Sequence, residues 1–128
     1  MNTLELWHEM LHKRDLARID EVLAHECVFL SPIVHTPQRG RELTRMYLTA
    51  ALKVFNESFQ YTKEVVSAQH AVLEFTCEVD GIVVNGVDIM TFDDAGKIIE
   101  FKVMVRPLKA VNLLHAKMRA MLEQMSAQ

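Results

Sequence analysis

The chain has 128 residues and a mass of 14.7 kDa, the size of one ordinary domain, and we expect a single domain over residues 1–128. Half of the residues are apolar and the net charge is -3, which excludes a disordered chain and leaves no basic face for nucleic acid or anionic lipid. No apolar run approaches the roughly 20 residues that span a bilayer, and Glu5 and Glu9 argue against a signal peptide. We therefore expect a cytoplasmic protein without a membrane partner.

The first part of the chain carries apolar residues at steps of three and four, the spacing of amphipathic helices. The predicted elements are helices over residues 3–13 and 16–23, a short strand over 27–32, a loop over 34–40 and a long helix over 41–55. This half is therefore predicted to be mostly helical.

From about residue 58 the apolar period changes to two, as in strands with one buried face. The clearest run is VLEFTCEVDG (72–81), and a second run, VVNGVDIMTF (83–92), leads through the turn DDAG into KIIEFKVMVRP (97–107). Together these runs predict an antiparallel meander. Pro107 then opens a C-terminal helix whose methionine-rich stripe predicts either core or oligomer packing, or a flap over a cavity mouth.

The order of elements predicts an α+β fold: a curved antiparallel sheet with helices packed on its concave side, plus the C-terminal helix. The inner strand positions are nearly all apolar, so the hollow of the sheet is expected to form an apolar pocket. Cys27 and Cys77 lie within apolar strand patterns, which favours buried thiols over a disulfide or a metal site.

Residues 8–12 read HEMLH, which fits the H-E-x-x-H pattern of zinc peptidases. The extended form of that pattern requires a glycine and a third histidine at positions that Asp15 and Arg18 occupy here. We therefore interpret His8 and His12 as polar residues beside a buried helical stripe. No metal and no cofactor are predicted.

Three stretches resemble a known family: RDLARIDEVLAHECVFLSP (14–32), TPQRGRELTRMYL (36–48) and GVDIMTFDDAGKIIEFKV (86–103). In their order and spacing they resemble the nuclear transport factor 2-like superfamily with its cystatin-like fold, and within it the SnoaL-like and ketosteroid isomerase-like proteins, over residues 3–106. The resemblance implies a cone-shaped α+β barrel, a homodimer, and an apolar cavity for a small molecule.

The resemblance also implies roles for three positions. The acidic residue with which ketosteroid isomerases stabilise an oxyanion, on the penultimate strand, falls on Asp88. Their hydrogen-bonding tyrosine on the first helix falls on Trp7, whose indole N–H is also a donor. Their general-base aspartate, just before a proline, falls on Ser31, and a serine hydroxyl does not accept a proton near neutral pH without help.

Asp88 is the most informative residue of the sequence. On a period-two strand it shares a side with Met90 and Phe92, so its carboxyl group is expected to point into the core, where desolvation raises the pKa of such a group. Such a residue acts in a cavity, or it is a structural carboxylate bonded to an amide or a tryptophan N–H, or it faces a dimer interface.

Other candidates surround this acid. His35, on the loop after Ser31, is a candidate second proton-transfer group because imidazole titrates near neutrality, although an exposed loop histidine is the alternative. Tyr47 lines the cavity or packs against it. The remaining predicted ligand contacts are inner strand positions, namely Phe75, Met90, Phe101 and Val103.

Two hypotheses follow. The first is a homodimeric pocket protein that binds a small apolar or polyketide-like molecule and catalyses a proton-transfer isomerisation or cyclisation through Asp88 and His35. The second is a non-catalytic dimerising or ligand-binding module of the same fold, in which Asp88 is structural and the outer sheet face is the partner surface.

Overall fold

The computed structural model describes residues 2–127, which form three α-helices and six strands. In chain order these elements are α1 (Thr3–Lys13), β1 (Leu23–Leu30), β2 (Gln38–Arg39), α2 (Arg41–Val54), β3 (Gln60–Val66), β4 (His70–Val79), β5 (Ile82–Phe92), β6 (Ile98–Arg106) and α3 (Leu108–Ser126). Within this described range, no helix combines the length and the apolar character that crossing a bilayer requires.

The six strands form one sheet in the order β2-β1-β6-β5-β4-β3. Neighbouring strands are antiparallel except β1 and β6, which run parallel. Apolar residues of the helices, among them Trp7, Leu48 and Leu114, pack against the inner strand positions in two core clusters. The predicted α+β class, with helices on the concave side of a curved sheet and an additional C-terminal helix, is confirmed.

The predicted second helix over residues 16–23 is wrong. The structure has only one 3₁₀ turn there, Ile19–Glu21, and β1 already begins at Leu23. The apolar spacing was real, because Ile19 and Val22 are both buried. The backbone of Leu23 pairs instead with Ile98 of β6, a partner 75 positions further on, and that long-range pairing ends the helical turn.

The long helix and the meander are confirmed: α2 corresponds to the helix predicted over 41–55, and β4, β5 and β6 correspond to the three alternating runs. Cys27 and Cys77 are free, buried thiols, as predicted.

The strand pairing aligns residues of the concave face in two rows. One row is Tyr61, Phe75, Gly86 and Val105, and the other is Glu64, Leu73, Asp88 and Val103.

Gly86 gives the first row its shape. A Cβ atom at this position would lie 2.3 Å from Cζ of Phe75 and 2.7 Å from the carbonyl oxygen of Met104. The ring of Phe75 lies directly over the backbone of β5 here, so no side chain fits at this position.

Candidate functional site

A cavity of about 750 Å³ lies between the concave face of the sheet and the three helices. Its volume falls within the range of small-molecule sites. The wall is mostly apolar, and every helix contributes to it: Leu11 from α1, Leu48 and Leu52 from α2, and Leu114 and Met118 from α3. The C-terminal helix is therefore part of the cavity wall.

Seven of the residues predicted for the site line this cavity, namely Trp7, Ser31, Tyr47, Phe75, Asp88, Phe101 and Val103. Two others do not. Met90 is fully buried, but it packs within the core cluster and is not part of the wall. His35 is exposed on the loop after β1 and also lies outside the lining, which on this loop ends at Val34.

Asp88 is the acid of the cavity. It lies on β5 and is only 6% exposed. Oδ2 accepts a hydrogen bond from the hydroxyl of Tyr61 at 2.5 Å, and no residue of 2–127 bonds to Oδ1. Burial raises the pKa of Asp88 from its usual 3.8 to about 7, while the Tyr61 hydrogen bond acts in the opposite direction.

Tyr61 links this acid to the first helix. Its oxygen accepts a hydrogen bond from Nε1 of Trp7 at 3.0 Å while its own proton goes to Asp88. Burial, and then the charge of Asp88, raise the pKa of Tyr61 well above its usual value of 10, so the phenol stays protonated. The three residues form one chain of hydrogen bonds that leads from Trp7 to Asp88.

The role expected for the indole of Trp7 is therefore changed. Its N–H group donates to Tyr61 and is not free for a ligand, while its ring packs edge-on against Phe101 with centroids 5.2 Å apart. The phenol that is bonded to Asp88 comes from β3 and not from α1.

Sequence reasoning missed Tyr61. The change to period two from about residue 58 placed it on a strand, but most residues of β3 are exposed and no alternating apolar run marks its inner face. Only the pairing of Tyr61 with Phe75 of β4 shows that it faces the hollow.

Ser31 and Tyr47 have structural partners in the wall. Oγ of Ser31 accepts hydrogen bonds from the backbone N–H groups of Ile33 and Val34, at 3.0 and 3.3 Å, so it stabilises the turn after β1. Tyr47 stacks on Phe29 with ring centroids 5.3 Å apart. The position at the end of β1 to which the resemblance assigned a general base therefore holds a neutral hydroxyl that stabilises a turn.

The histidines of HEMLH lie on the same cavity wall, on α1. Nε2 of His8 lies 2.7 Å from Oε1 of Glu64, and Glu9 pairs with Lys13 at 2.7 Å. Among residues 2–127, no three side chains of the metal-binding types come together. Glu9 is thus ion-paired with the lysine one turn further along α1.

The fold and this site define a cone-shaped α+β protein with a mostly apolar cavity that is lined by one buried acid. The sequence model of the SnoaL-like domain matches residues 4–101, and the chain belongs to this family within the nuclear transport factor 2-like superfamily. No curated protein matches the chain.

Solved structures agree with this assignment. A steroid delta-isomerase from Pseudomonas aeruginosa is 36% identical, with a TM-score of 0.94 over 98% of this chain and 93% of that one. An uncharacterised protein with a cystatin-like fold from Silicibacter pomeroyi DSS-3 is 31% identical, with a TM-score of 0.86 over 92% and 83% of the two chains. The epoxide hydrolase/cyclase-like enzyme SalBIII, at 16% identity and a TM-score of 0.66 over 81% and 88%, shares the fold alone.

Proposed function

We propose that this protein binds an apolar carbonyl compound in its cavity and catalyses a proton transfer that converts the ligand into its enol. Isomerisation of an unsaturated ketone and ring closure of a polyketide-like chain both begin with this step. The observation that carries the proposal is a buried carboxyl group, bonded by a partly buried tyrosine, in a mostly apolar wall. The 36% identical structure is described as a steroid delta-isomerase, which favours a ketosteroid as the first ligand to try.

Asp88 is the acid in this reaction. With a pKa of about 7, a large fraction of the group is protonated at neutral pH, and its free oxygen Oδ1 hydrogen-bonds the ligand carbonyl. Negative charge that develops on the ligand oxygen is stabilised in a dry site, where a hydrogen bond is stronger than in water. Tyr61 stabilises the carboxylate that remains after the proton has moved, and the Trp7 N–H strengthens Tyr61 as a donor.

The test is turnover of a Δ5-3-ketosteroid, followed by the ultraviolet absorbance of the conjugated enone product. Wild-type protein is expected to accelerate the reaction, and Asp88→Asn is expected to lower kcat by about 100-fold or more, because the group that carries the proton is gone. Met90→Leu is the matched control, since Met90 is buried on the same strand outside the cavity wall. A wild-type protein that binds the steroid without converting it would contradict catalysis on this substrate.

The alternative function is ligand binding without chemistry. It is favoured by Ser31, which occupies the place of the family's base and is bonded to backbone amides. In that case a titration with the same ketosteroid, followed by Trp7 fluorescence, would show saturable binding. No compound in a panel of steroids, lactones and polyketide-like ketones would be converted to product.

We also propose a homodimer formed through the outer, convex face of the sheet. Three apolar side chains on that face are substantially exposed: Val65 by 69%, Val83 by 56% and Met104 by 49%. Exposed apolar groups on one face of a sheet are typical of an association surface. A second copy of the chain would cover the same groups by two-fold symmetry.

A further inference from the structure

A second pair of polar side chains lies near Asp88, and one of the two lines the cavity. His8 of α1 lines the cavity, and its Nε2 lies 2.7 Å from Oε1 of Glu64 on β3. The His8 ring also packs edge-on against Tyr61, with centroids 5.5 Å apart and an angle of 90° between the planes. The pair therefore lies beside the hydrogen-bond chain that ends at Asp88.

A β-bulge in β3 puts Glu64 on this face. Tyr61 pairs with Phe75, but Lys63 pairs with Glu74 and Glu64 with Leu73, so one extra residue is accommodated between Tyr61 and Lys63. Without the bulge, Lys63 would lie opposite Leu73 on the concave side, and Glu64 would point outward. The bulge therefore replaces a cation by a carboxylate next to His8.

The carboxylate of Glu64 faces one nitrogen of the His8 ring, Nε2, at 2.7 Å. Because a carboxylate oxygen is an acceptor, this contact favours a proton on Nε2 and leaves Nδ1 as the nitrogen with a lone pair. Glu64 and Asp88 lie in the same row, separated by Leu73. Their Cα atoms are therefore about 10 Å apart, twice the spacing of neighbouring strands.

We propose that His8, positioned by Glu64, is the general base of this site and that it works with Asp88 as the acid. The proposal rests on the function proposed above. Nδ1 of His8 removes a proton from the carbon next to the ligand carbonyl, and the electron pair of that C–H bond forms the C=C bond of the enol. The carbonyl oxygen takes the Asp88 proton. In the second half, the enol O–H proton returns to Asp88, and His8 delivers its proton to a different carbon.

This assignment supplies what one acid alone lacks. Enolisation needs a base at the carbon and an acid at the oxygen of the ligand. The sheet provides the acid through Asp88, and α1 provides the base through His8 from the other wall. His8 here takes the place of both Ser31, which holds a turn, and His35, which lies outside the lining.

The experiment measures exchange of the α-protons of the same Δ5-3-ketosteroid in D2O by NMR, together with its isomerisation. His8→Gln is expected to lower both rates by about 100-fold. Glu64→Gln leaves the base in place but removes the carboxylate that positions it. It is expected to lower kcat by about 10-fold, similar to the loss when a carboxylate that orients a metal-binding histidine is removed. His35→Gln is the matched control and is expected to leave both rates unchanged.

The outcomes separate the two proposals. If Asp88→Asn abolishes turnover but His8→Gln retains exchange, another group is the base, and the His8 assignment is overturned while the proposed function stands. If the wild-type protein neither exchanges nor isomerises the steroid, both fail. Imidazole ¹⁵N NMR gives a readout without substrate: the Nε2-protonated form of His8 is expected in the wild type and a mixture in Glu64→Gln, and an Nδ1-protonated form in the wild type would overturn the assignment.

Discussion

Tyr61 donates a hydrogen bond of 2.5 Å to Oδ2 of Asp88 from two strands away across the sheet. This contact joins a phenol that cannot ionise near neutral pH to a carboxyl group whose pKa is raised to about 7. The protonation state of Asp88 therefore depends on this bond and on the burial around it.

Removal of the phenol is expected to make Asp88 a weaker acid still. In Tyr61→Phe the pKa of Asp88 should rise above about 7, because the hydrogen bond from Tyr61 is the contribution that lowers it. Carboxyl ¹³C NMR as a function of pH measures this shift. Trp7→Phe is the control, because it removes only the N–H group that donates to Tyr61. A smaller upward shift in the pKa of Asp88 is expected in this variant. A downward shift in Tyr61→Phe would contradict the geometry.

The folded protein is expected to lose stability as the pH rises towards 8. The folded state holds the Asp88 proton more tightly than the unfolded chain does, so the stabilisation is complete below pH about 4 and is lost as the pH rises through about 7. The shift from 3.8 to about 7 corresponds to roughly 4 kcal/mol. Tm of the wild type should therefore fall between about pH 5 and about pH 8.

Asp88→Asn isolates this contribution. An amide does not titrate, so the variant should have a flatter dependence of Tm on pH than the wild type and be the more stable of the two at about pH 8. Calorimetry of both proteins in the same buffers is the measurement. Equal slopes in the two proteins would show that folding does not raise the pKa of Asp88.

Gly86→Ala is expected to destabilise the protein by about 1–3 kcal/mol, because the new Cβ atom would overlap the ring of Phe75. The free energy of unfolding in urea measures the loss. The double variant with Phe75→Leu should recover part of it, since the smaller side chain leaves room for the methyl group. If the loss of stability in the double variant equals the sum of the losses in the two single variants, the contact between Gly86 and Phe75 is not the cause.

Met104→Lys is expected to convert the proposed dimer into a monomer, because it places a charge in the centre of the outer sheet face. Sedimentation equilibrium gives the mass of the assembly. Gln124→Lys on the exposed side of α3 adds the same charge elsewhere and should leave the mass unchanged. A monomeric wild type, or a Met104→Lys variant that remains a dimer, would reject this surface.

The alternation of β4, β5 and β6 and the stripe of α2 could be predicted from the sequence because they are local. A strand with one buried face shows a period of two within a few residues, and that period alone put Asp88 on the inner side. Burial in an apolar hollow follows directly from that side, and so does the direction of its pKa change.

The partners of Asp88 could not be predicted in this way. Tyr61 has no apolar neighbours at alternating positions, so nothing local shows which way its side chain points. Its position depends on the pairing of β3 with β4, and the position of Glu64 depends on a bulge in that pairing. His8 was interpreted as a flanking polar residue because its helical position is at the edge of the buried stripe, and the sequence shows nothing of Glu64 opposite it.

The sequence by itself thus determined the α+β class, the family and the inward-facing acid Asp88, because local periodicity and motif order encode which side of each element is buried. Only the tertiary structure decided what surrounds that acid: the parallel pairing of β1 with β6, the chain from Trp7 through Tyr61, and the His8–Glu64 pair. These features depend on the register between strands and on how α1 packs over the sheet, and such long-range geometry leaves no periodic trace in the chain.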